Sequence, residues 1–152
     1  MELKKLLYLF AASLFALFLI DRVTVSPTLM SGNGNVGIGV ILPSLFLFLT
    51  FYFYLAVACY RWFGRLKKGM LLGCLPLLLL LLAGCLWWET QIAHHLLTAL
   101  GGGPEEPQSR IYRFGWFNQY TNTLFFNVAT FAATGLLVAF ASAAGAWKQG
   151  RL

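Results

Sequence analysis

Charge is scarce in this chain: 11% of its 152 residues are charged and only five are acidic, against about 25% in a soluble domain. The stretch 36–60 holds no charge at all. Cysteine is sparse as well. Cys59, Cys74 and Cys85 all lie inside apolar runs, their number is odd, and no two form a CxxC pair. That pattern argues against a zinc site or a structural disulfide and leaves buried thiols acting as small hydrophobes. The chain also lacks the 3.6 or 2.0 alternation of amphipathic elements. Its hydrophobic residues, 59% of the total, come in long unbroken blocks that read as membrane spans. No internal repeat is visible, which counts against a transporter built from inverted halves.

Lys4 and Lys5 precede the first apolar block, as in a signal peptide, but the residues after it, from Asp21 to Val25, offer no small-x-small cleavage site. The block is therefore read as a retained span. Together the blocks predict an all-α integral membrane protein with one domain, a four-helix transmembrane bundle with spans at 3–25, 36–60, 69–88 and 123–147. Each can cover the ~30 Å hydrocarbon core at 1.5 Å per residue. Pro76 is expected to kink the third span.

The basic residues divide unequally between the two faces. Lys4, Lys5, Arg61, Arg65, Lys67, Lys68, Lys148 and Arg151 fall on one side; Arg22, Arg110 and Arg113 fall on the other. The positive-inside rule then places both termini in the cytoplasm. Acidic residues lean the opposite way, with Asp21, Glu89, Glu105 and Glu106 outside and Glu2 inside. Because the net charge of +6 sits at span ends and sets orientation, no nucleic-acid partner is expected.

Two loops face outward in this reading, 26–35 and the larger 89–122. The first contains Ser31, Gly32, Asn33, Gly34 and Asn35 and should turn tightly. The second contains a flexible part at 101–107 and then an aromatic, basic part with Arg110, Arg113 and Trp116. These residues anchor the loop at headgroup level, or form a surface that grips a lipid or a peptide. Small residues mark helix contacts: Gly69 and Gly73 on span three, Ala132, Gly135, Ala139 and Ser142 on span four, and Ala12 and Ala16 on span one.

Polar residues inside spans carry the functional signal. Thr123, Asn127, Thr130 and Thr134 are spaced to share one face of span four, as polar glue between helices or as the lining of an outward-opening pocket. Asp21 falls short of the outer surface by its distance from Lys5, and an intramembrane carboxylate is a functional-site hypothesis. An ion pair with Arg22 is the competing reading. Glu89 stands at the outer boundary of span three. Adjacent His94 and His95 point about 100° apart on a helix and chelate one metal poorly, so neither a metal nor a cofactor is expected.

Three stretches resemble the lipoprotein signal peptidase family. Asp21 stands at the outer end of span one, Asn35, Val36 and Gly37 are similar to an Asn-x-Gly motif entering span two, and Phe126, Asn127, Val128 and Ala129 match the start of the family's span four. The resemblance implies a four-span protein of the bacterial inner membrane with a pocket at the outer leaflet, lined by Asp21, Asn35, Gly37, Glu89, Asn127 and Thr130. The family's two catalytic aspartates are missing. Thr130 occupies the position of one, and the stretch 84–91 lacks the motif that carries the other. An aspartic dyad needs two carboxyls about 3 Å apart sharing a proton. The expectation is thus a non-catalytic relative that binds membrane lipid, a lipid-modified peptide or a transmembrane peptide. Two other readings stand beside it, an accessory or assembly subunit of a larger membrane complex and an immunity or resistance protein.

Overall fold

The computed structural model describes residues 3–32 and 34–149. Glu2 and Arg151, which enter the charge balance above, and Asn33 of the first loop lie outside the described residues. Those described form five helices and no strand: α1 Leu3–Val23, α2 Ile38–Phe63, α3 Lys68–Leu100, α4 Asn122–Phe125 and α5 Val128–Gln149. By length and composition α1, α2, α3 and the combined Asn122–Gln149 segment can each cross a membrane.

Long apolar runs with good helix formers leave these segments little alternative to helix, and contact between them is selective. Helix α1 packs on α2, α2 on α5, and α5 on α3, whereas α1 and α3 are not packed along one another. The bundle is a curled row of helices with one open side. The first turn of α1, the last turn of α5 and the turn at 64–67 lie at one end of it, here the terminal end. The segments 24–37 and 101–121 lie at the other, the loop end.

Phe131 of α5 joins the first three helices of the row. Its ring stacks on Phe51 with centroids 5.2 Å apart and meets Phe48 and Phe10 at 5.7 and 6.1 Å. Its carbonyl accepts a 2.9 Å hydrogen bond from the Tyr52 hydroxyl. A second cluster, Phe63, Leu71 and Ala143, holds α2, α3 and α5 together at the terminal end. The small residues divide. Ala16, Ala143 and Ser142 are buried, and Gly135 faces Leu55 and Tyr52 across the α2–α5 contact. Ala12 is exposed, and Gly69 and Gly73 meet open space. The Gly69–Gly73 pair therefore does not pack inside the bundle, and large apolar side chains such as Phe46, Leu80 and Trp87 point outward.

Three features differ from the sequence expectation. Helix α3 continues past Glu89 to Leu100. Its 33 residues extend about 50 Å, well beyond one hydrocarbon thickness. Nothing in 89–100 breaks a helix, and Ile92, Leu96 and Leu100 recur at helical spacing, so the run stops only at Gly101. That glycine takes the left-handed conformation (φ 78°) at the helix end, and the N–H groups of Gly101 and Gly102 bond back to the carbonyls of Thr98 and Leu97, a glycine C-cap.

The second difference is the segment 101–107, which is folded rather than loose. Gly103 N–H donates to the Glu106 carboxylate, the Ser109 hydroxyl donates to the Gly102 carbonyl at 2.7 Å, and Arg110 N–H donates to the Leu100 carbonyl at 2.9 Å. Leu100, Ile111 and Tyr120 form a small apolar centre with Val25, Leu96 and Leu97 against it. The segment 101–121 is thus a compact cap on the protruding end of α3. It also grips the first loop: the Tyr120 hydroxyl accepts from Ser31 N–H at 2.8 Å, and Val25 N–H donates to the Gln119 carbonyl at 2.9 Å.

The third difference is a break in the last span. Phe126 (φ −125°, ψ 80°) leaves the helix, so α5 starts at Val128 instead of continuing from Thr123. Its 22 residues cover about 33 Å, enough for the hydrocarbon core without α4.

Ile111 is fully buried at the centre of the cap. Ile111→Ala is expected to cost about 2–5 kcal/mol. The checks are a lower melting temperature in detergent and faster proteolysis within 101–121, with α1 to α5 still helical.

Candidate functional site

The break at Phe126 and Asn127 leaves backbone N–H groups of α5 without helical partners, and burial requires that they be paired. Asn127 supplies the pairing. Its side-chain oxygen accepts from Ala129 N–H at 2.7 Å and Thr130 N–H at 3.0 Å. In return the Thr130 hydroxyl accepts from Asn127 N–H at 3.1 Å. This is a capping box with threonine in the reciprocal place. The Asn127 amide nitrogen donates to Glu89 Oε2 at 2.7 Å and to the Thr123 carbonyl at 2.9 Å. All four hydrogen-bonding positions of that amide are filled. One side chain ties α3, α4 and α5 together, and Glu89 places a negative charge beside the positive end of the α5 dipole.

A second amide network lies at the start of α2. Asn35 and Asn122 exchange reciprocal hydrogen bonds at 2.7 and 2.9 Å, and Asn35 Oδ1 also accepts from Gly37 N–H at 3.1 Å. Asn122 is fully buried. A side chain at position 37 would strike the Asn122 amide, so glycine there is a requirement of the close approach. The network fixes the first loop to α4.

The six pocket residues expected from the sequence therefore separate. Asn35 and Gly37 belong to the Asn122 network. Glu89, Asn127 and Thr130 belong to the α3–α4–α5 junction. Thr130 stands in the first turn of α5 and not deep inside it, because the helix begins later than expected. The four-residue polar face also divides: Thr123 is on α4, Asn127 is the cap, and Thr134 is exposed. Asp21 joins neither network. It is exposed, and neighbouring Arg22 lies over the Phe18 ring at 5.6 Å.

Asp21 and Asn127 do share a cleft. It opens between α1 and α3 at the loop end, has a volume of about 680 Å³, and is closed behind by Phe126 and Val128. Leu14, Leu17 and Phe18 of α1 face Ile92 and Leu96 of α3 across it, while Asp21, His95, Thr123 and Asn127 form its polar part. Such a volume and such a lining, apolar walls with a few polar groups, suit a small-molecule or lipid ligand. A smaller groove of about 230 Å³ lies on the other side of Phe126, against α2, and it is there that Thr130 and Thr134 are found.

Sequence reasoning missed His95 as a cleft residue and Asn122 and Tyr120 as anchors. His95 carried a signal, since it lies one helical turn beyond Gln91 on a continuing helix. Of the expected interfacial residues, Arg110 is exposed. Arg113 has a positive φ of 65° and lays its guanidinium over Tyr112 at 4.9 Å. Trp116 is half-exposed and covers Gly103. Among the described residues no three His, Cys, Asp or Glu side chains group as metal ligands. No family model matches the chain, and no curated protein or solved structure matches it.

Two substitutions separate these roles. Asn127→Ala removes a cap and orphans partners on three helices, with an expected loss of about 1–3 kcal/mol. Gly37→Ala forces the Asn35–Asn122 pair apart and is expected to expose the first loop to protease. Thermal unfolding in detergent and limited proteolysis check both, and unchanged stability in Asn127→Ala would contradict the junction described here.

Proposed function

We propose that this chain is a non-catalytic multi-pass protein of the bacterial inner membrane that receives an acyl-bearing ligand, a membrane lipid or a lipid-modified peptide, sideways into the α1–α3 cleft. The observation that carries this reading is the cleft itself. Its walls are hydrocarbon, its polar groups gather at one end, and it opens along the side of a bundle whose outer surface is apolar. In a bilayer such an opening faces acyl chains directly.

Levels within the membrane support the same reading. Asp21 is 18 positions beyond Leu3, about 27 Å of helix, and Glu89 is 21 positions beyond Lys68, about 31 Å. Asn127 immediately precedes the ~33 Å of α5. All three fall near one boundary of a ~30 Å core, where a lipid changes from chain to headgroup. The excess of Lys and Arg at the terminal end supports cytoplasmic termini and an extracytoplasmic cap.

The non-catalytic reading is supported by the groups at the junction. Thr130, where the signal peptidase family carries an aspartate, caps its own helix, and the Glu89 carboxylate is engaged by Asn127. Among the described residues neither is hydrogen-bonded to a second carboxyl with which a proton could be shared. An accessory-subunit role is favoured by one specific feature: α3 is the least covered helix, with 6% of its apolar window buried, and Gly69 and Gly73 lie open on it.

Two measurements test the proposal. Native mass spectrometry after mild detergent extraction is expected to show one retained acyl-bearing ligand, lost when Ile92→Trp fills the cleft; a ligand-free wild type would contradict it. Expression in cells lacking signal peptidase II is expected to give no prolipoprotein processing, and processing abolished by Asp21→Asn would show an enzyme instead.

A further inference from the structure

We infer that the cleft selects a lipid whose zwitterionic headgroup carries an ammonium, an aminophospholipid of the ethanolamine type, and that Asp21 faces that ammonium; this rests on the acyl-ligand reading above. The charge distribution points to it. The chain carries 11 basic and five acidic residues, yet no Lys or Arg lines the cleft. Asp21 lines it directly, and Glu89 stands one hydrogen bond behind its lining through Asn127. The neighbouring cation on α1, Arg22, sets its guanidinium over Phe18, itself a lining residue, so the rim of the cleft carries both signs. Asp21 is the one Asp, Glu, Lys or Arg side chain of the lining itself, and it attracts an ammonium.

The remaining polar groups fit the rest of such a headgroup. The Asn127 amide has no capacity left, so recognition falls to Asp21, His95 and Thr123. A carboxylate suits an ammonium, and a hydroxyl and an imidazole N–H suit phosphate oxygens.

The choice of a lipid over a peptide follows from what lies above the cleft. Val25, four residues beyond Asp21, donates to the Gln119 carbonyl and packs against the buried cluster of Leu100 of α3 with Ile111 and Tyr120 of the cap. The end of α1 is thereby bridged to α3 just beyond Asp21 and His95. A compact headgroup fits below that bridge, whereas a polypeptide continuing along the bundle axis meets it.

The test offers wild-type protein an equimolar mixture of dioleoyl phosphatidylethanolamine and dioleoyl phosphatidylglycerol in detergent, then counts retained lipid by native mass spectrometry. The expected result is an excess of the ethanolamine lipid of about fivefold, the scale of one solvent-accessible charge contact. Asp21→Asn, an exposed and nearly isosteric change, is expected to bring the two lipids to parity. Equal retention by the wild type, or an excess that survives Asp21→Asn, overturns headgroup selection. If wild type retains both lipids equally and Ile92→Trp abolishes retention, the acyl-ligand reading stands and only headgroup selection fails. If Ile92→Trp retains lipid as wild type does, the cleft is not the site and both fail. Displacement of the ethanolamine lipid by an equimolar diacylated peptide overturns the assignment of a lipid as occupant.

Discussion

A helix interrupted within an apolar segment exposes backbone donors and acceptors that hydrocarbon cannot satisfy, and each one left unpaired costs several kcal/mol. The interruption at Phe126 and Asn127 is tolerated because one asparagine side chain closes the account on every side. It accepts from two N–H groups of α5, donates to a carbonyl of α4, and donates to Glu89 of α3. Without those bonds α5 would have no reason to start at Val128, and α4 would have no reason to lie between α1 and α3. The back wall of the cleft, Phe126 and Val128, is therefore a consequence of how the backbone at 126–128 is satisfied.

Helix length does the rest. Helix α1 ends at Val23 while α3 continues to Leu100, so α3 stands about 16 Å above the level of Glu89, counting its 11 further residues at 1.5 Å each. The cap folds against the end of those roughly three projecting turns, on Leu96, Leu97 and Leu100, and returns to the chain after α1 at Val25 through Gln119 and Tyr120. The bundle is joined at the loop end by the cap and at the terminal end by Phe63, Leu71 and Ala143. Between these, α1 and α3 are not packed along one another, and the space left at the loop end is the cleft. Rigidity of the junction and openness of the cleft are two results of one arrangement.

Some of this was legible in the sequence and some was not. Unbroken apolar blocks separated by charged or glycine-rich segments are a strong signal, and they gave the four long helices. The extension of α3 was visible in Ile92, Leu96 and Leu100 but was outweighed by the charge at Glu89 and by His94 and His95. Asn35, Gly37, Asn127 and Thr130 stood out because polar residues and glycine near span ends demand an explanation. Their roles depend on partners that periodicity does not reveal: Asn122 lies 87 residues from Asn35, and Glu89 lies 38 from Asn127. The Gly69–Gly73 pair illustrates the converse, a local packing pattern with no partner inside the bundle. Spacing on an ideal helix also failed at Thr123, Asn127, Thr130 and Thr134, since the helix breaks between the first two.

The Asn127 side chain thus caps α5 and joins it to two other helices, α3 and α4. Beside that junction lies a space between helices with apolar walls and a polar end. The most direct test of this account is an experimental structure of the protein in a lipid nanodisc. The account requires elongated acyl density between Leu17 of α1 and Ile92 of α3, with the Glu89–Asn127 hydrogen bond intact behind it. Direct packing of α1 against α3 with no space between them would contradict it.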